Sequence, residues 1–141
     1  MSSDQTSSYR PTIITEIKNM NQFLEIWRKN PGVIIMKFGA TWCGPCKQIE
    51  PLVHDCIGKM PNNIQCAIID IDECFEVYAF LKKKRVLNGV PAIIGYFKSK
   101  NAEKDQNTFF YPEEIVVGTD KNKVIEFFDR CYRESRSCVA N

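Results

Sequence analysis

The sequence has no long apolar run: Val33 to Met36, for one, stops at Lys37, far short of the twenty or so residues a bilayer-spanning helix needs. It has a single histidine, His54, and a single Cys-x-x-Cys spacing, Cys43 to Cys46. A structural zinc site draws on four ligands, usually two such pairs or one pair with two histidines, so no metal site is expected. Charge of one sign is also missing, because 19 Lys and Arg against 17 Asp and Glu leave a net +2. Bulk charge therefore calls for neither a nucleic acid nor a membrane surface. The one basic run, Lys82 to Arg85, has no interleaved aromatics and no second basic strip, so it reads as a solvated helix end. A Gly-rich strand-to-helix fingerprint is absent, which excludes nucleotide binding of that kind. Residues 1–8 carry neither a basic cap nor an apolar stretch and do not read as a secretory signal. The expectation is a cytoplasmic monomer.

Cysteine is abundant, with seven residues at 43, 46, 56, 66, 74, 131 and 138. An odd number excludes complete internal pairing, and without a secretory signal the expectation is free thiols in a reducing compartment. At 141 residues with 44% hydrophobic and 26% charged residues, the chain is sized for one core.

Residues 1–11 are polar and Ser-rich, and are expected to form a disordered tail ahead of one domain at 12–134. Residues 12–17 alternate β-branched and polar residues, a short strand signal. Asn19 is placed to cap a helix through Phe23, Leu24, Ile26 and Trp27, broken by Asn30-Pro31-Gly32. Val33 to Phe38 has the continuous apolar character of a strand buried on both faces. A helix follows the cysteine pair through Ile49, Leu52, Val53 and Ile57, with Pro51 expected to kink it. Ile64 to Ile71 reads as a second buried strand. A helix over Cys74 to Lys84 should turn Phe75, Val77, Tyr78, Phe80 and Leu81 inward. Ala92 to Phe97 and Glu113 to Val117 are further strands, joined by a polar loop (Lys98 to Asp105) and an aromatic cluster (Phe109-Phe110-Tyr111) expected to pack on the core. Thr119 or Asp120 caps a last helix through Tyr132, followed by a tail at 135–141. The order β-α-β-α-β-α-β-β-α implies an α/β fold, a mixed sheet with helices on both faces.

The chemistry concentrates at Cys43-Gly44-Pro45-Cys46, between a buried strand and a helix. Unsatisfied N–H groups and the positive dipole end at the helix start favour a thiolate at Cys43. Cys46, about one turn on, can close a disulfide with it. Those positions assign attack on a substrate disulfide to Cys43 and resolution of the mixed disulfide to Cys46. Pro45 suits a first helical turn, and Pro91, directly before an apolar strand, suits a strand's first residue.

The segment Phe38-Gly39-Ala40-Thr41-Trp42-Cys43-Gly44-Pro45-Cys46-Lys47 resembles the active-site segment of the thioredoxin family. The resemblance extends through Pro51, Asp70-Ile71-Asp72, Gly89-Val90-Pro91 and Gly118, over roughly residues 12–134. It implies a thioredoxin-like fold, a cis bond before Pro91, and a flat apolar substrate surface formed by Trp42, Gly44, Pro45, Val90, Pro91 and Gly118. Proline between the cysteines points to a reductant of protein disulfides with no bound cofactor, recharged by a separate thioredoxin reductase. The alternative is a binding or assembly module in which the dithiol is dispensable.

Two departures stand out. Where the family carries an acid beneath the resolving cysteine, this sequence has Lys37; its usual lysine partner is replaced by Ile68, and Gly39 stands where tryptophan is common. An ammonium there would favour the Cys46 thiolate and modulate the active site, or else Lys37 reaches solvent and plays no part. The second departure is Ser99 to Pro112, which lengthens the last hairpin. His54 is expected at the surface, Cys56, Cys66 and Cys74 as buried small hydrophobes, and Cys131 and Cys138 as accessible.

Overall fold

The computed structural model describes residues 11–140, so most of the N-terminal tail expected at 1–11 lies outside the described residues. The elements are α1 (Met20–Arg28), β1 (Val33–Gly39), α2 (Gly44–Gly58), β2 (Ile64–Asp70), α3 (Phe75–Lys83), β3 (Ala92–Phe97), a 3-10 helix (Lys98–Glu103), β4 (Glu114–Val117) and α4 (Lys121–Ala140). The strands form one sheet in the order β2-β1-β3-β4. β1 pairs parallel to β2 and antiparallel to β3, and β4 closes antiparallel on β3.

β1 is buried along its whole length, as its apolar run predicts for a strand covered on both sides. Side chains alternate across a strand, and the two cores follow that alternation. Ile34, Met36 and Phe38 join Phe23 of α1 and Val77 and Leu81 of α3 on one face. Val33 and Ile35 join Ile49 and Val53 of α2 and Val124 and Phe127 of α4 on the other. Lys37 has the parity of Val33 and Ile35, which places it on the α2 side of the sheet.

Several boundaries differ from the sequence reading. Residues 12–17 form a single parallel bridge, Ile14 to Ala67, instead of a strand. Ile14 accepts from the Ile68 N–H and donates to the Cys66 carbonyl. The chain then leaves the edge of β2 and buries Ile17, whose N–H reaches Cys74 Sγ at 3.5 Å. The last helix runs to Ala140, past residue 134. Ser135 lies fully buried on it, with its carbonyl accepting from Asn63 Nδ2. Phe75, expected to face inward, starts α3 and is 69% exposed.

The lengthened hairpin is pinned at both ends of its aromatic cluster. Phe110 is buried, and its ring meets Phe80 at 5.1 Å and Phe109 at 5.4 Å between centroids. Tyr96, fully buried on β3, donates its hydroxyl to the Phe110 carbonyl at 2.7 Å. Lys104 donates to the Tyr111 carbonyl and pairs with Glu113, which also accepts the Phe97 N–H. The charged stretch expected as loop begins with the 3-10 helix. Packing on the core is thus the outcome for Phe109 and Phe110, while Tyr111 stays half exposed.

Candidate functional site

The site forms where β1 ends and α2 begins. Cys43 is the N-cap of α2, and its Sγ accepts the Cys46 N–H at 3.1 Å. Pro45 occupies the first turn, where its missing N–H costs nothing, and no acidic side chain in that turn offsets the positive helix end. A disulfide joins Cys43 and Cys46 with Cα atoms 5.3 Å apart. α2 continues as helix across Pro51.

Around the sulfurs the chain places groups from three other regions. The Val90–Pro91 peptide is cis, and the Val90 carbonyl lies 3.8 Å from Cys43 Sγ. Gly118 follows β4 with φ of 96°, a conformation that side chains disfavour, and its N–H donates to the Pro91 carbonyl at 3.0 Å. Trp42 is 65% exposed, yet its indole N–H donates to Asp72 Oδ2 at 2.8 Å. Asp72 itself is oriented by its N–H bond to Asp70 Oδ1. Trp42, the dithiol, Val90, Pro91 and Gly118 are therefore linked from separate parts of the sequence.

Burial does not separate the two sulfurs, since each cysteine is 4% exposed in the disulfide. Their surroundings do. Cys43 faces the Val90 carbonyl, whereas Cys46 lines a cleft of about 480 Å³ together with Lys37, Gly39 and Glu50. A Cβ added at Gly39 would sit 3.4 Å from Cys46 Sγ and 3.9 Å from Lys37 Cε. The missing side chain at Gly39 is what opens the space between sulfur and lysine. Burial lowers the Lys37 pKa from the ordinary lysine value, and the Glu50 carboxylate opposes that shift.

Sequence reasoning missed two residues of this region. Glu50 lies four residues beyond Cys46, a spacing that stacks two side chains on one helix face, so its signal was present. Asp72 was named only as part of the resemblance, without a role, because that role depends on a tryptophan 30 positions away.

The remaining cysteines stand apart. Cys74 is buried as expected, and Cys56 is only partly so. Cys131, expected to be accessible, is fully buried because α4 lays it over Gly95, where an added Cβ would come within 3.1 Å of its Sγ. Burial and the nearby Glu114 hold its thiol strongly neutral. Cys138 is half-buried. His54 is exposed and lies 4.0 Å from Glu50. Among the described residues no group of three or more His, Cys, Asp or Glu could hold a metal ion. Among the described residues no helix is long and apolar enough to cross a membrane.

Solved thioredoxins share this fold. One from Plasmodium falciparum superposes with a TM-score of 0.62 at 20% identity, covering 84% of this chain and 98% of that one. One from Nicotiana alata does so with a TM-score of 0.61 at 22% identity, covering 89% and 97%. In sequence, the chain is 29% identical to the thioredoxin of Oryctolagus cuniculus over 108 residues, 68% of this chain and 95% of the relative. It is 33% identical to a thioredoxin of Arabidopsis thaliana over 95 residues, 65% of this chain and 60% of that relative. The Thioredoxin family model matches residues 14–116, a span that holds the dithiol, the cis-proline loop and all but the end of the sheet. The chain belongs to the thioredoxin family, whose working group is a cysteine pair that needs no bound cofactor.

Proposed function

We propose that the protein reduces disulfides of other proteins, with Cys43 as nucleophile and Cys46 as resolving thiol. The observation that carries this reading is the placement of Cys43 at the N-cap of α2, with the Cys46 N–H directed at its sulfur. A backbone N–H and a helix start both favour sulfur as thiolate. In the dithiol form the Cys43 thiolate attacks one sulfur of a substrate disulfide. A bond forms between Cys43 and that sulfur, and the other substrate sulfur leaves as thiolate and takes up a proton. Cys46, deprotonated, then attacks the Cys43 sulfur. The Cys43–Cys46 disulfide forms and the second substrate thiol departs, so two electrons have passed to the substrate.

The surface for that substrate consists of Trp42, Gly44, Pro45, Val90, Pro91 and Gly118. The cis peptide turns the Val90 carbonyl toward Cys43, and Gly118 supports the turn through Pro91. Lys37 acts on the resolving step from beneath Cys46. Electrons come from a thioredoxin reductase that uses a nicotinamide nucleotide, and the partners are disulfide-containing proteins. The protein works as a monomer in the cytoplasm, as one domain whose last helix continues past residue 134. Reduction of insulin disulfides, followed with a nicotinamide-dependent thioredoxin reductase supplying electrons, tests the reading. Catalytic turnover that needs both cysteines is the expected result. Binding of partners without turnover would give way to the assembly-module alternative.

A further inference from the structure

The Lys37 side chain is buried, and its ammonium opens on the cleft beside Cys46 without a bonded partner. The residue is 6% exposed, and no hydrogen bond or ion pair within 4.0 Å reaches it among the described residues. Partial removal of an ammonium from water costs free energy, and the other side chains on this face of β1, Val33 and Ile35, are apolar and buried. The cleft beside it holds Cys46 on one wall and Glu50 on the same helix, four residues on. The other charged groups facing the cleft are Lys47 of α2, Asp70 at the end of β2 and Glu73 before α3, and His54, one turn further along α2, lies 4.0 Å from the Glu50 carboxylate. Asp70 is engaged with the Asp72 N–H.

We propose that Glu50 is a positioning residue for the resolving step: its carboxylate keeps Lys37 charged across the cleft, and the charged Lys37 lowers the pH at which Cys46 becomes a thiolate. This role presupposes Cys46 as the resolving thiol. Burial works against the Lys37 charge, and the Glu50 carboxylate, half exposed on the wall of the same cleft, works for it. Gly39 is part of the device, because any side chain there would fill the space between Cys46 Sγ and Lys37 Cε. The proton leaving Cys46 passes into the open cleft and to solvent. No acid need accept it.

The pair makes a signed prediction. Alone, a carboxylate near Cys46 repels a thiolate and raises the pH at which it forms; acting through Lys37, it lowers that pH. Reduced protein carrying Cys56→Ser and Cys138→Ser is mixed with an aromatic disulfide whose thiolate is coloured. The first equivalent of thiolate marks attack by Cys43. The second marks Cys46 attacking the Cys43 sulfur and breaking its bond to the aryl sulfur. Lys37→Met should raise the pH midpoint of the second phase by about one unit, slowing it about tenfold below the midpoint. Glu50→Gln should raise that midpoint when Lys37 is present and lower it when combined with Lys37→Met, while Glu50→Asp restores the parent midpoint. A midpoint that Glu50→Gln lowers in both backgrounds, or moves in neither, overturns the role of Glu50. Absence of a second equivalent at any pH, in the parent itself, overturns the resolving role of Cys46 and the inference with it.

Discussion

Cys46 and Cys131 lie on α2 and α4, the two helices that pack on one face of the sheet, and are buried alike. Their chemistry is opposite. Cys46 lies one turn into α2, beside a helix start, a bonded sulfur partner and a cleft that holds an ammonium. Cys131 lies midway along α4, packed over Gly95 with Phe127 beside it and Glu114 raising its pKa further. Burial by itself therefore says little about a thiol; the dipoles and charges that reach it decide whether it ionises. The protein uses the same residue type as a redox group at one end of a core and as a space-filling hydrophobe in the middle.

This contrast can be broken first by chemistry. In the reduced protein, Cys43 should be alkylated faster than Cys131 by about a thousandfold or more, since Cys131 reacts only when α4 leaves the sheet. Mass spectrometry of a short iodoacetamide pulse checks it, and labelling of Cys131 at a comparable rate would show that α4 opens locally. A second break acts through stability. Phe110→Ala removes a buried ring from the far side of the sheet and should cost about 3 kcal/mol in urea unfolding. A cost below about 1 kcal/mol would leave the aromatic cluster without a packing role.

Gly95→Ala sharpens the comparison at Cys131 directly. The added methyl meets Sγ at 3.1 Å and Phe127 Cζ at 3.5 Å, and should destabilise by about 1–2 kcal/mol. Adding Cys131→Ala should recover part of that loss, a coupling measured by the double-mutant cycle. Additive losses would mean that the strain falls elsewhere.

The smallest effect concerns Lys37 and stability. Burial holds its pKa in the folded protein below the ordinary lysine value of 10.5. Between those two values the unfolded chain binds more protons, so folding gains stability as pH rises through that window. Below the window the ammonium is charged in both states and the whole cost of burying it is present. Lys37→Met should therefore be more stable than the parent at neutral pH, by about 1 kcal/mol, with the difference in urea midpoint shrinking as pH climbs toward 10.5. A constant difference would mean that Lys37 keeps its solution-like titration in the folded state.

The legible parts of the sequence were those in which local pattern and burial agree. The apolar run of β1, the Asn19 cap, which accepts from the Gln22 N–H at 2.9 Å, and the Asp120 cap of α4 could all be read directly. So could the strand–dithiol–helix junction and the alternation that puts Lys37 on the α2 face. What failed depends on distant partners. Residues 12–17 have a strand's alternation, but a strand's extent is set by how long its neighbour stays alongside, and here the chain turns away after one bridge. Cys131 looked accessible because it lies near the end of the chain, yet the absence of a side chain at Gly95, 36 positions earlier, makes room for it. Phe75 looked internal from helical spacing, but it starts α3 and stays 69% exposed, covered by none of the described elements.

The central claim, that the two cysteines of α2 act in order, is tested most directly by trapping. Cys46→Ser protein, incubated with a protein disulfide, should accumulate a mixed disulfide through Cys43, and Cys43→Ser should neither trap substrate nor turn over. Turnover retained by Cys43→Ser and lost by Cys46→Ser would contradict the account, because the helix start would then activate the wrong sulfur.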